Sequence, residues 1–206
     1  MNINLLKLNK NLICVTIGDV EGIGIHLLLK EFKKRKIDNF VLLTNINIFN
    51  KYIKFPKGRI NLLNDINFNN YNKTKLNIYN YKTKNKETNT FDALKYAYEI
   101  TKKKNFIGIL TLPLNKHKIN KSVNNNFIDQ TSYFSKKENQ KNSNMIFYYK
   151  NKFFIQLTIH IELKKVHKSF QNKLFMIKKI ENLYSTLVND FKIKNPKIIL
   201  AGINPH

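Results

Sequence analysis

LICVTIGDVEGIGIHLLLKEFKK, residues 12–34, decides the fold. Leu12 to Ile17 is an apolar run of strand length that Gly18-Asp19 breaks, and an amphipathic stretch from about Glu21 to Lys34 follows. The order is strand, glycine turn, helix. Phe40 to Thr44 reads as a second strand, with a short helix over Asn47 to Ile53 and a turn at Pro56-Lys57-Gly58. Strands alternating with helices give an α/β fold with a mostly parallel sheet and flanking helices.

Farther along, Ile60 to Leu63 and Leu76 to Tyr81 are short apolar runs, and Tyr81 to Asn89 reads as a solvated loop. Asp92 to Lys103 spaces Leu94, Ala97, Tyr98 and Ile100 as one helical face, with an acid at the N-terminal end of the dipole. Phe106 to Leu112 reads as a buried strand ending at Pro113, Lys116 to Asn126 as a loop, and Thr131 to Lys137 as a short helix. Met145 to Tyr149 and Phe153 to Ile159, joined by Lys150-Asn151-Lys152, suit a hairpin. A long helix over Val166 to Phe191 and a last strand over Lys197 to Ala201 complete the reading. The whole is expected to be one incomplete α/β unit, with a first lobe over about 1–125 and part of a second over 126–206.

The chain of 206 residues can bury a real core, and its 6 glycines and 4 prolines argue against a fibrous or disordered protein. No apolar run reaches the length of a membrane span, and the N-terminus has no small-residue cleavage site. A cytoplasmic protein with no membrane partner is therefore expected. Cys14 is the single cysteine and lies inside an apolar run, as a buried small hydrophobe would. The net charge of +24 suggests nucleic acid at first, but only Arg35 and Arg59 are arginines among 37 basic residues, and the lysines are spread from end to end. Readers of phosphates and bases lean on clustered arginine forks. No specific nucleic-acid partner is expected, only bulk attraction to polyanions that salt screens.

Three places carry candidate chemistry. Gly18-Asp19-Val20-Glu21-Gly22-Ile23-Gly24 could let backbone amides approach an anion at a helix start, or could be a tight turn with close helix packing. Thr111-Leu112-Pro113-Leu114-Asn115-Lys116 follows a buried strand, where open α/β sheets bind ligands. Lys116 there could hold a carboxylate or phosphate, or could be one more solvated lysine. His160 and His206 each follow a strand-like run; imidazole is a good ligand for zinc and similar ions, yet a lone histidine at a strand end also serves as a hydrogen-bonded structural residue. His26, His117 and His167 receive no role.

Taken in order, these pieces resemble the 4-hydroxythreonine-4-phosphate dehydrogenase family. Gly18 to His26 is similar to G-D-P-x-G-I-G-P-E, lacking both prolines and the Glu; Thr111 to Lys116 is similar to T-A-P-[IL]-N-K with Leu112 for Ala. Thr158-Ile159-His160-Ile161-Glu162-Leu163 resembles a T-x-H strand end, and Gly202-Ile203-Asn204-Pro205-His206 resembles G-L-N-P-H. The resemblance implies a fold like the isocitrate and isopropylmalate dehydrogenases, with the C-terminal part of that fold missing from these residues. It implies a homodimer, NAD or NADP, and a divalent metal (Zn, Mg or Co) held by three histidines, of which His160 and His206 match two. The implied reaction is oxidation of 4-phosphohydroxy-L-threonine, a small phosphorylated amino acid, followed by decarboxylation, in pyridoxal 5'-phosphate (vitamin B6) biosynthesis.

Two departures shape what can be carried over. The family's G-H-T-E aligns with Asp129-Gln130-Thr131-Ser132, so Gln130 and Thr131 occupy the substrate-binding positions, with an amide where the family has an imidazole. Gln can donate and accept hydrogen bonds but cannot act as an acid, base or cation at neutral pH. The family's third metal histidine and the Lys, Asn and Arg that hold its substrate come later than G-L-N-P-H. The alternative is thus a non-catalytic remnant or a half-subunit that needs a complementing C-terminal chain.

Overall fold

The computed structural model describes residues 12–65, 68, 70–103, 106–123, 126–140, 143–159 and 161–202. They divide into two compact units, 1–134 and 135–206.

The first unit is built on five parallel strands: β1 (Ile13–Thr16), β2 (Phe40–Leu43), β3 (Ile60–Leu63), β4 (Leu76–Tyr79) and β5 (Gly108–Thr111), in the order β3-β4-β2-β1-β5. β1 pairs with β2 from Ile13 opposite Phe40, and with β5 from Ile13 opposite Gly108. All four residues of β2 are buried, so the run is apolar without alternation, as a central parallel strand requires. Helix α1 (Ile23–Lys33) buries Ile25, Leu28, Leu29 and Phe32, one stripe at helical spacing. Helices α2 (Ile46–Tyr52) and α3 (Lys86–Lys103) add Phe49, Ala93, Ala97 and Ile100 to the same core. Cys14 is fully buried in β1, and burial pushes its thiol pKa up to about 12, so it is inert packing.

Two stretches differ from the sequence reading. Tyr81 to Asn89 is not a solvated loop: Tyr81 and Asn89 are buried, and α3 begins at Lys86. Asn85 and Thr88 start the helix reciprocally, Asn85 Oδ1 accepting from Thr88 N at 2.9 Å and Thr88 Oγ1 accepting from Asn85 N at 2.9 Å. Asn89 then saturates the end of β2, its Oδ1 accepting from Asn45 N (2.8 Å) and its Nδ2 donating to Thr44 Oγ1 (3.1 Å). Polar composition hid a buried network. Likewise 116–123 forms helix α4 (Lys116–Val123) rather than loop: Asn115 Oδ1 accepts from Lys118 N at 3.1 Å, and Ile119 is buried with Leu94 and Phe127. One anchoring residue in eight gives no apolar period to read.

After helix α5 (Gln130–Lys137), which runs into the second unit, β6 (Ile146–Tyr149) and β7 (Lys152–Ile155) form the antiparallel hairpin expected from the short link. Lys150 and Asn151 both take positive φ (45° and 61°), the backbone a two-residue hairpin turn needs. The expected long helix is broken into α6 (Val166–Gln171) and α7 (Lys173–Asn189). At the break, Asn172 turns its Oδ1 onto Phe175 N at 3.0 Å, and this local cap replaces a continued helix. Helix α7 buries Met176, Lys179, Leu183 and Leu187. Lys197 to Ala201 is not a strand; it pairs with nothing among the described residues, and Ile199 is 91% exposed. A strand exists only where a neighbour accepts its hydrogen bonds. Among the described residues no helix is long and apolar enough to cross a membrane.

Replacing Asn89 by Ala strands the Asn45 amide without its acceptor in the interior. The expected loss is about 2–3 kcal/mol of stability, read from the urea midpoint.

A candidate ligand crevice at the switch point

The sheet order reverses between β1 and β5: the chain leaves β1 toward β2 on one side and returns to β5 on the other. Open α/β sheets bind ligands outside the strand ends at such a point. The Gly18–Gly24 and Thr111–Lys116 motifs follow these two strands and meet there.

Glycine makes the meeting possible. Gly18 has φ +65°, and a Cβ on it would lie 2.4 Å from Pro113 O and 2.9 Å from Leu112 Cβ; a Cβ on Gly24 would lie 2.6 Å from Pro113 Cδ. Asp19 N donates to Pro113 O at 2.9 Å, and Thr90 Oγ1 of α3 donates to Gly18 O at 2.6 Å. The loop therefore packs as a tight turn. Three of its amides are spent inside the protein, Asp19 N on Pro113 O, Glu21 N on Asp19 Oδ1 (3.0 Å) and Gly22 N on Asp19 O (2.9 Å). With Asp19 and Glu21 also at its mouth, it offers a phosphate little.

Two lysines converge on those acids. Lys86 Nζ lies 2.7 Å and Lys118 Nζ 3.1 Å from Glu21 Oε2, and Lys118 reaches Asp19 Oδ2 at 3.4 Å. Hydrogen bonds from Lys86 and then Lys118 hold the Glu21 carboxyl below its ordinary pKa, and Glu21 raises both ammonium groups in return. Asp19, Lys86, Glu87, Thr90, Asn115, Lys118 and Ile119 line a crevice of about 10 Å³, room for one water-sized group. Lys86 and Lys118 were hidden in the sequence by the abundance of lysine. The readable signal was the opposite one: two acids inside one motif of a chain of +24 must find cations.

Gln130 opens α5 beside the same strand end, its Nε2 donating to Leu112 O at 3.3 Å. Asp129 caps the helix by accepting from Ser132 N at 2.7 Å. Three motifs far apart in sequence are thus joined, Gln130 to Leu112 and Leu112 to Gly18. Thr131, next to Gln130, is exposed, as is Lys116, which takes no part in the Asp19–Glu21 cluster. His160 and His206 lie outside the described residues. Among the described residues no three His, Cys, Asp or Glu side chains gather as a metal site. His26 lines a separate groove with Lys30, Lys33, Lys34, Tyr52 and Lys54.

The fold is α/β, of the isocitrate and isopropylmalate dehydrogenase-like class, with a mostly parallel sheet flanked by helices. The family model described as "Pyridoxal phosphate biosynthetic protein PdxA" matches residues 30–206, and the chain belongs to that family. Curated relatives named 4-hydroxythreonine-4-phosphate dehydrogenase include those of Nostoc sp., 27% identical over 94% of this chain and 58% of the relative, and of Hydrogenobaculum sp., 27% identical over 93% and 64%. A solved structure titled as a putative enzyme of that name from Salmonella typhimurium superposes with TM-score 0.78 at 18% identity, over 96% of this chain and 65% of that one. One from Burkholderia phymatum gives 0.74 at 18%, over 95% and 63%. The chain spans less than two thirds of the length of each of these four proteins.

Gly18→Ala must place a Cβ against the Pro113 carbonyl in left-handed backbone and is expected to cost about 2–3 kcal/mol. Gly58→Ala, where a Cβ meets nothing within 4 Å, is the control and should shift the denaturation midpoint by less than about 0.5 kcal/mol. The lowered Glu21 pKa also has a sign. Pairing stabilises the fold above the ordinary carboxylate pKa and is lost as pH falls through the lowered value. Lys118→Met should move the Glu21 titration upward in a carboxylate NMR titration; an unmoved midpoint would show the contact absent in solution.

Proposed function

We propose that these residues serve NAD(P)-dependent, divalent-metal-dependent oxidation of 4-phosphohydroxy-L-threonine with subsequent decarboxylation, in vitamin B6 biosynthesis. Family membership over residues 30–206 carries the reading. The meeting of the Gly18, Leu112 and Gln130 motifs at one strand-end crevice supports it. Gln130 and Thr131 are assigned to the substrate, and His160 and His206 to the metal. The partner is a second copy of the chain in a homodimer, and the setting is the cytoplasm.

Imidazole donors suit Zn²⁺ or Co²⁺ better than Mg²⁺, which prefers oxygen. A metal held there would polarise the substrate oxygen and stabilise enolate charge as carbon dioxide leaves. The glycine loop does not fit a dinucleotide pyrophosphate, because three of its amides are spent and its mouth is acidic. No step is assigned to it. The role of this chain is to orient the substrate: Gln130 is tied to Leu112, and the Glu21 pairs hold the neighbouring loop still.

A second reading is a non-catalytic remnant or half-subunit that works with a partner chain; the amide of Gln130, where the family has an imidazole, favours a non-catalytic role. One assay separates the readings. The purified chain, alone and mixed with the C-terminal portion of a full-length relative, is given 4-phosphohydroxy-L-threonine, NAD⁺ or NADP⁺ and Zn²⁺, Co²⁺ or Mg²⁺. Reduced nicotinamide is followed by absorbance. The reaction predicts product in at least one mixture, abolished by His160→Ala or His206→Ala. Product in the complemented mixture alone supports the half-subunit. Neither product nor substrate binding in any mixture would overturn the assignment.

A further inference from the structure

The groove that His26 lines is a second feature, outside the crevice at the strand ends. Helix α1 gives it His26, Lys30, Lys33 and Lys34, and Tyr52, which ends α2, and Lys54 just beyond it complete a cavity of about 550 Å³. That volume is in the range of small-molecule sites. Residues three and four apart share a helix face, so the α1 row from His26 to Lys34 runs for about 12 Å. Every polar lining side chain carries a hydrogen-bond donor, as ammonium, imidazole or phenol, and among the described residues no carboxylate lines the groove. The acid on the same helix, Glu31, is taken by Lys34 at 3.4 Å and Lys36 at 3.7 Å. Lys30, Lys33 and Lys54 have no acidic partner among the described residues. Cations in the last turn of a helix offset its dipole, but that does not require them to converge on one cavity kept clear of acids. At the switch point, by contrast, the lysines are matched by Asp19 and Glu21.

We infer that this groove binds a linear polyphosphate, a small ligand whose anionic groups lie in a row, at a site separate from the strand-end crevice. The inference is independent of the proposed reaction. A single phosphate meets one or two of the lysines, whereas a chain of three phosphates extends along the α1 row and reaches Lys54 opposite it, adding charge-assisted hydrogen bonds at each step. Lysine suits such a ligand, because point charges on flexible stems follow tetrahedral groups without the fixed fork of a guanidinium. Base stacking is not what the groove offers. The Tyr52 ring already carries Lys51 Nζ at 5.5 Å and Lys86 Nζ at 5.1 Å from its centroid. Recognition therefore falls on the phosphate chain itself, whether free or borne by a nucleoside.

The test is calorimetric titration of the full chain with inorganic triphosphate, orthophosphate and ATP at about 0.15 M salt, where charges are screened beyond about 8 Å. One triphosphate should bind per chain, at least about tenfold more tightly than orthophosphate, with ATP within about threefold of triphosphate. Lys30→Gln, Lys33→Gln and Lys54→Gln together should weaken triphosphate by at least about tenfold. Lys168→Gln, Lys173→Gln and Lys178→Gln together, at exposed lysines of the second unit, should weaken it by less than about twofold. Both sets remove the same charge, so equal losses would assign binding to bulk charge and overturn the inference. It is also overturned by several weak equivalents per chain, by no preference over orthophosphate, or by no binding. ATP binding more than about threefold tighter than triphosphate would show that a base is read, and would overturn it as well. Backbone amide shifts of the native chain supply a local readout that stands even if a variant fails to fold. Triphosphate should move residues 26–34 and 52–54 and leave β5 and α5 unmoved; shifts centred elsewhere would place the site elsewhere and sink the assignment.

Discussion

The contact between Gly18 and the Leu112-Pro113 backbone is the constraint on which the rest of the site depends. β1 and β5 lie side by side, so the loops that leave them must cross the same small space. No side chain fits between them: a Cβ would lie 2.4 Å from a carbonyl oxygen. The glycine therefore brings two loops into register, lets Asp19 N reach Pro113 O, and fixes where α1 starts. A loop read as a possible anion cradle proves to be a joint. Its freedom of φ is used for approach, and three of its amides hold it in place.

Around that joint the protein uses the composition it has. The chain is rich in asparagine, which favours turns and loops because its amide competes with backbone hydrogen bonds. Asn89 is nevertheless wholly buried, and so nearly is Asn77, which accepts from Asn61 and Asn72 N and donates to the carbonyls of Asn72 and Lys75. Each buried amide has its partners, so neither carries the cost of an unsatisfied polar group. Asn45, Asn85, Asn115 and Asn172 instead cap helices. The same residue type thus ends one element, starts the next and ties strand tips together.

Charge is arranged with similar locality. The surface is strongly basic overall, yet the switch point carries Asp19 and Glu21 facing Lys86 and Lys118. These pairs are exposed and contribute modestly as energy. Their larger effect is geometric, because Glu21 joins the loop after β1 to the starts of α3 and α4 at once. Lys179 is the contrary case, a lysine buried on α7 with its ammonium over the Phe175 ring and its pKa lowered by desolvation.

By itself the sequence determined the alternation of strand and helix, the two loop motifs at strand ends and the hairpin, because each is a local signal: an apolar run, a glycine break, a short polar link. It also marked Gln130, Thr131, His160 and His206, but only through the resemblance of their motifs to the family's. It could not reveal α4, the early start of α3 at Lys86, or the break at Asn172, where single side-chain caps outweigh weak or misleading periodicity. Nor could it show that Lys197 to Ala201 lacks a pairing partner among the described residues, since apolar β-branched residues favour a strand only where another strand is waiting. Only the tertiary structure decided which two of 35 lysines meet Glu21 and which way the Gln130 amide points. Those are questions of which groups from distant parts of the chain share one hydrogen bond, and residue type and spacing do not contain the answer.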